Sequence, residues 1–238
     1  MHPILERLRS SPRRTFIAVT TILAIVGCLA VVVGVAVNRG SDSAPAATPV
    51  ATPGACVIRL HGKGGAGAPT TRTETSATVN PAGNAAGWGG RQWMYFPDSD
   101  YAAARRLVAD AITREACNRV VLNGFSNGAA FAAKLYCRGE TFEGRIVGVL
   151  VDDPVTDHAS EHCAPASGVA VALYFTGALE GPAQPGWDCG AADWTCEGGS
   201  TVGIRAYAAA LGVAVQASPN REHAPFLAAP EPGAWLAR

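Results

Sequence analysis

Residues 124–128 read Gly-Phe-Ser-Asn-Gly, between the apolar run Val120-Val121-Leu122 and a small-residue helical pattern over 127–137. A serine with a glycine two residues to either side suits a tight strand-to-helix turn. Such a turn lifts the hydroxyl to the edge of a sheet, and the glycines let neighbouring backbone close in. The serine then stands at a helix N-terminus, where unpaired N–H groups favour developing negative charge. That placement makes Ser126 a candidate nucleophile; a helix-capping serine in a glycine-rich turn is the alternative.

A serine hydroxyl needs a base, and the base needs an acid to orient it. The chain has five histidines. His2 lies in the basic N-terminal segment, His61 in the loop His61-Gly62-Lys63-Gly64-Gly65, and His158 and His162 share one loop. His223, after the last apolar run, is the expected base. Three carboxylates are candidates for the acid: Glu180 first, then Asp188 on the same loop, then Asp153. The glycine loop offers backbone donors to an oxyanion, with Lys63 expected as one donor through its amide and Asn127 as the other. A phosphate loop is rejected, because Gly62-Lys63 is followed by Gly64 where Ser or Thr is required.

Apolar runs over 57–60, 76–79, 119–123, 146–151, 169–175 and 213–217 alternate with helical patterns over 100–116, 127–137 and 201–211. Asp98, Ser99 and Asp100 are the candidate N-caps of the first helix. Near-continuous apolar strands separated by helices predict an α/β fold with a mostly parallel sheet and helices on both faces. Sites in such folds lie beyond the carboxyl ends of the strands, and the His61 loop, Ser126, Asp153, Glu180 and His223 all fall there.

Ahead of that domain, residues 1–14 carry four arginines against one acid, and 22 uncharged residues then run from Phe16 to Val37. At 1.5 Å per residue this spans roughly the 30 Å of a bilayer core, so 15–38 is expected to be a transmembrane signal anchor with 1–14 cytoplasmic. A cleaved signal, with the domain secreted, is the less favoured alternative because its apolar region is shorter. Cys28 is read as an apolar residue of that helix and not as a lipidation site. Residues 39–55 are expected to form a Pro/Ala/Ser/Thr linker, and 56–238 the folded α/β domain, outside the cytoplasm.

The six cysteines beyond Cys28 suggest three disulfides in an exported domain. Cys189 and Cys196 are close in one loop, Cys56 and Cys117 each precede a predicted strand, and Cys137–Cys163 remains. The cysteines and the His158–His162 cluster have no metal-ligand spacing, and no cofactor is expected. Lys+Arg and Asp+Glu both number 19, so nothing in the charge points to nucleic acid. Trp88, Trp93, Trp187 and Trp194 lie in loops around Ser126, as lining of an apolar acyl site or as packing.

The Leu60-His61-Gly62 strand end, Gly124-Phe125-Ser126-Asn127-Gly128, Gly177-x-x-Glu180 and late His223 together resemble the α/β-hydrolase superfamily. The Phe-Ser-Asn-Gly turn and the Pro81-Ala82-Gly83-Asn84…Trp93 segment are similar to small esterases of the carboxylesterase/phospholipase and polyhydroxybutyrate-depolymerase-like groups. The resemblance implies a Ser-His-acid triad, an acyl-enzyme, and small-molecule or lipid-like esters as substrates. Glu180 in place of the family's Asp, and Arg221-Glu222-His223 in place of its Gly-His, motivate a second expectation. That is a catalytically degenerate binding or envelope scaffold protein on the same fold.

Overall fold

The computed structural model describes residues 54–176 and 202–238. Glu180, Asp188, Trp187, Trp194, Cys189, Cys196 and the expected membrane segment 15–38 lie outside these residues. Among the described residues no helix is long and apolar enough to cross a membrane.

Period-two burial builds the centre of the sheet. In β1 (Ala55–Leu60), Cys56, Ile58 and Leu60 turn inward, as do Ala77 and Val79 in β3 (Ser76–Asn80). β6 (Arg119–Phe125), β7 (Ile146–Asp152) and β8 (Ala170–Phe175) are buried on both sides, which explains their near-continuous apolar sequences. β2 (Ala68–Arg72) and the short β9 (Val215–Ala217) complete a sheet of order β2-β3-β1-β6-β7-β8-β9. Every pairing is parallel except β2 with β3, which is antiparallel. A separate hairpin joins β4 (Ala85–Gly87) to β5 (Gly90–Gln92).

Three helices pack on one face: α1 (Asp98–Arg114), α2 (Asn127–Cys137) and α3 (Ile204–Leu211), all contributing to the larger core cluster. The other face has a smaller cluster of Val121, Leu150, Ala172, Tyr174 and Trp235, the last from α4 (Glu231–Leu236). Helices on both faces match the expectation, unequally. The chain runs from β1 to β3 on one side, then returns to β6 on the other side of β1. The strand order therefore reverses between β1 and β6, where α/β sheets open a crevice for ligands.

Two differences from the sequence reading have simple causes. Residue 97, a proline, occupies the N-cap of α1 with no side-chain cap bond, so none of Asp98, Ser99 or Asp100 caps it. Asp98 and Asp100 fall inside the first turn instead, where their charge suits the helix dipole. The parallel-sheet expectation also omits β2, an edge strand with exposed Thr and Pro positions. Disulfides join Cys56 to Cys117, as their places ahead of two strands suggest, and Cys137 to Cys163, the pairing left by elimination. The first ties the starts of two neighbouring parallel strands. The second ties the end of α2 to the segment beyond β7.

Candidate active site

β6 runs straight into Ser126, the N-cap residue of α2, and the turn between them is tight. Ser126 has φ 54° and ψ −119°, a positive φ that a non-glycine residue rarely adopts and that needs surrounding structure to hold it. Its amide donates to the Asp152 carbonyl at 3.0 Å, while its own carbonyl accepts from Ala129 and Ala130. The flanking glycines are there for close approach. A Cβ on Gly124 would stand 2.3 Å from the Gly128 carbonyl oxygen, and one on Gly128 would stand 2.1 Å from that of Leu60. Neither gap admits a side chain.

The His223 ring packs on Phe125, the residue before Ser126, with centroids 4.6 Å apart. Its Nδ1 lies 2.6 Å from Oδ2 of Asp153. Asp153 is fully buried, has a positive φ of 47° at the end of β7, and accepts two further bonds from Thr176. The Thr176 amide donates to Oδ1 at 2.9 Å and its hydroxyl to Oδ2 at 2.8 Å. A carboxylate so held accepts the Nδ1–H of His223 and leaves Nε2 as the nitrogen that takes up a proton. Asp153 was the third of the three expected acids. Glu180 and Asp188, ranked above it, lie outside the described residues, and the carboxylate on the ring comes from one strand earlier than theirs. Among the described residues no hydrogen bond joins Ser126 to His223.

Asp152 was not singled out in the sequence, since nothing separates it from its neighbour there. It is 1% exposed, and its Oδ2 accepts from the Phe226 amide at 2.6 Å, three residues beyond His223. Burial, followed by the Asp153 charge, pushes its pKa up to about 6 against the pull of the Phe226 bond. Asn220 steadies the same loop by donating to the Ala224 carbonyl at 2.8 Å. The consecutive pair Asp152-Asp153 thus holds both the histidine and the loop that carries it.

His61 is structural. Its Nδ1 lies 2.7 Å from the Gly62 carbonyl oxygen, and its Nε2 accepts from the Gly83 amide at 3.0 Å, so Nδ1 carries the proton. Burial lowers its pKa, which keeps that neutral form. The loop is fixed further by Gly64 donating to Arg91 at 2.9 Å and Gly65 donating to Gly62 at 3.0 Å. It presses on the elbow: a Cβ position on Gly62 lies 3.1 Å from the Ser126 Cβ. Among the described residues no acceptor meets the amide of Lys63 or of Asn127, the two expected oxyanion donors. The Asn127 side chain has a task the sequence did not reveal. It receives the Trp93 amide at 2.7 Å and donates to the Trp93 carbonyl at 3.1 Å.

Trp93 is therefore core, buried and stacked on Phe131, while Trp88 stays 54% exposed beneath the Lys63 ammonium. His158 pairs with Glu161 in its own loop. The structure brings together a serine with positive φ at a helix N-terminus, a histidine on a buried acid, and a glycine loop that presses on the serine turn. Acyl transfer draws on groups of these types.

No family model matches the chain, and no curated protein does. Among solved structures the chain is similar to a Bacillus cereus carboxylesterase, with 16% identity, 78% of this chain and 87% of that chain covered, and a TM-score of 0.48. A Mesorhizobium loti carboxylesterase is similar at 16% identity, with 77% and 88% covered and a TM-score of 0.45. An Agrobacterium tumefaciens protein of unknown function is similar at 15% identity, with 78% and 92% covered and a TM-score of 0.45.

Proposed function

We propose that the chain is a serine hydrolase of the α/β-hydrolase kind, cleaving carboxylic esters through an acyl-enzyme on Ser126. The observation that carries this reading is the 2.6 Å bond between buried Asp153 and His223, whose ring rests on the residue preceding a strained serine. His223 Nε2 takes the Ser126 proton as Oγ attacks the ester carbonyl. The carbonyl oxygen becomes an oxyanion facing the amides of Lys63 and Asn127. Collapse breaks the C–O bond, and the leaving alcohol takes the proton from His223. Water, deprotonated by the same histidine, then releases the acid and restores the serine. Asp153 orients His223 and stabilises the imidazolium.

The reading is tested by labelling the purified protein with a fluorophosphonate probe and by assaying 4-nitrophenyl esters. Label on Ser126, and loss of turnover in Ser126→Ala, are expected. Full activity in that variant would overturn it. The missing Ser126–His223 hydrogen bond favours a second reading, a degenerate fold that binds without turning over. That reading predicts neither label nor turnover.

The domain is further proposed to be held outside the cytoplasm by residues 15–38, on the strength of their length and of the arginines before them. Membrane fractionation with protease protection of 1–14 tests this. Release into the medium of a chain shortened by its N-terminal segment would show cleavage instead.

A further inference from the structure

A parallel β1→β3 connection is the place where an α/β sheet usually carries a crossover helix. Here residues 61–75 supply β2 in its stead. By strand alternation Arg59, Asn80 and Asn123 point to the face opposite the α1/α2 core, and a groove of about 500 Å³ opens over them. Phe125 and Leu227, the latter from the His223 loop, wall it, and Lys63 stands at its edge.

The floor is unusual for a sheet face. Arg59 Nε is buried and meets no acceptor, and Arg59 forms no ion pair among the described residues. A buried guanidinium N–H without a partner costs free energy unless a ligand supplies one. Asn123 lies opposite Arg59 in the β1–β6 register. Among the described residues the groove is lined by two cations, Arg59 and Lys63, and by the amides of Asn80 and Asn123, with no carboxylate. Arginine with flanking amides matches the planar acceptors of an oxyacid group. Asn123 precedes Ser126 by three residues, roughly 10 Å along the strand.

We propose that this groove is an anion subsite that receives the carboxylate or phosphate at the far end of an ester whose carbonyl reaches Ser126. It rests on the hydrolase reading for its substrate but not for its binding. The natural substrate is then an amphipathic ester: an anionic terminus on Arg59, an apolar stretch along Phe125 and Leu227, and the scissile bond at the elbow.

The test has two arms on the full chain. In the first, calorimetry measures adipate and inorganic phosphate binding to Ser126→Ala and to Ser126→Ala/Arg59→Gln. Binding of either anion that weakens at least tenfold in the double variant supports the subsite. Binding of adipate alone assigns a carboxylate, and binding of both assigns any oxyacid group. In the second, kcat/KM for mono(4-nitrophenyl) adipate is compared with that for 4-nitrophenyl hexanoate. The anionic ester is expected to be preferred about tenfold, and Arg59→Gln to remove that preference while leaving the hexanoate rate unchanged. Unchanged anion binding in the double variant, or a preference that survives Arg59→Gln, overturns the proposal. If Arg59→Gln does not fold, Asn80→Leu is read in the same way. Absence of all ester turnover would defeat the hydrolase reading and leave the calorimetric result standing by itself.

Discussion

Asp153 and His223 stand 70 residues apart in sequence and 2.6 Å apart in space. The acid leaves the end of β7 with a positive φ, and the histidine arrives on the loop after β9. Thr176, at the end of β8, donates two further hydrogen bonds to the carboxylate. Three neighbouring strand ends thus contribute to one hydrogen-bonded unit.

Asp153→Asn should lower kcat by about 10³–10⁴ with little change in KM, because an amide no longer selects the Nδ1–H tautomer of His223. Steady-state kinetics on a 4-nitrophenyl ester checks this. A loss below tenfold would reassign the acid to a residue such as Glu180. Asp152→Ala, which frees the Phe226 amide, should cost less.

Ser126→Gly and Ser126→Ala should both be inactive yet differ in stability. Alanine keeps a Cβ at φ 54°, while glycine relieves strain of about 1–3 kcal/mol against an entropic penalty of about 0.5–1 kcal/mol. The glycine variant should therefore melt above the alanine variant by about 2–4 °C. The reverse order in a thermal melt would mean that the turn is unstrained.

Gly128→Ala forces a methyl to within 2.1 Å of the Leu60 carbonyl oxygen, which is backbone and cannot rotate away. Separating α2 from β1 should cost about 3 kcal/mol. A urea titration reads this as a lower midpoint at constant m-value. A cost under about 1 kcal/mol would show that α2 shifts freely.

Asp157 gives the stability of the domain a distinctive pH dependence. Burial pushes its pKa up to about 7, opposed by bonds from the Tyr95 hydroxyl and the Ala159 amide. The folded state then holds a proton that the unfolded chain releases at about pH 4. Folding carries the penalty in full above pH 7 and loses it as pH falls towards 4, so this contribution to stability rises on acidification. The span is a few kcal/mol. Asp157→Asn should flatten it, measured as the wild-type-minus-variant difference in urea stability between pH 5 and pH 8. Parallel curves would refute the assignment.

The elbow was legible because every local signal agreed: a β-branched run, glycines at fixed offsets, then small helix formers. α2 accordingly occupies residues 127–137, as the pattern predicts. The acid was not legible in the same way, since each of several strand ends offers a carboxylate. Which one reaches the histidine depends on strand order and on the fold of the His223 loop. β2 was hidden by exposed Thr and Pro positions that satisfy no burial pattern. α4 was hidden by being six residues long and containing Pro232 and Gly233. The anion groove was invisible for a further reason: Arg59, Asn80 and Asn123 come together only when β1 settles between β3 and β6.

The backbone bonds around the site extend the sheet's own ladder. The Ser126 amide donates to Asp152 at 3.0 Å and the Asp153 amide to Tyr174 at 2.9 Å, each crossing to the next strand. Slipping one strand by a single residue would carry its catalytic group about 3.3 Å along the sheet and reverse its facing. Turnover then becomes a gauge of strand alignment. Activity should vanish together with the circular-dichroism signal on heating, because no partly ordered sheet keeps nucleophile, histidine and acid in line.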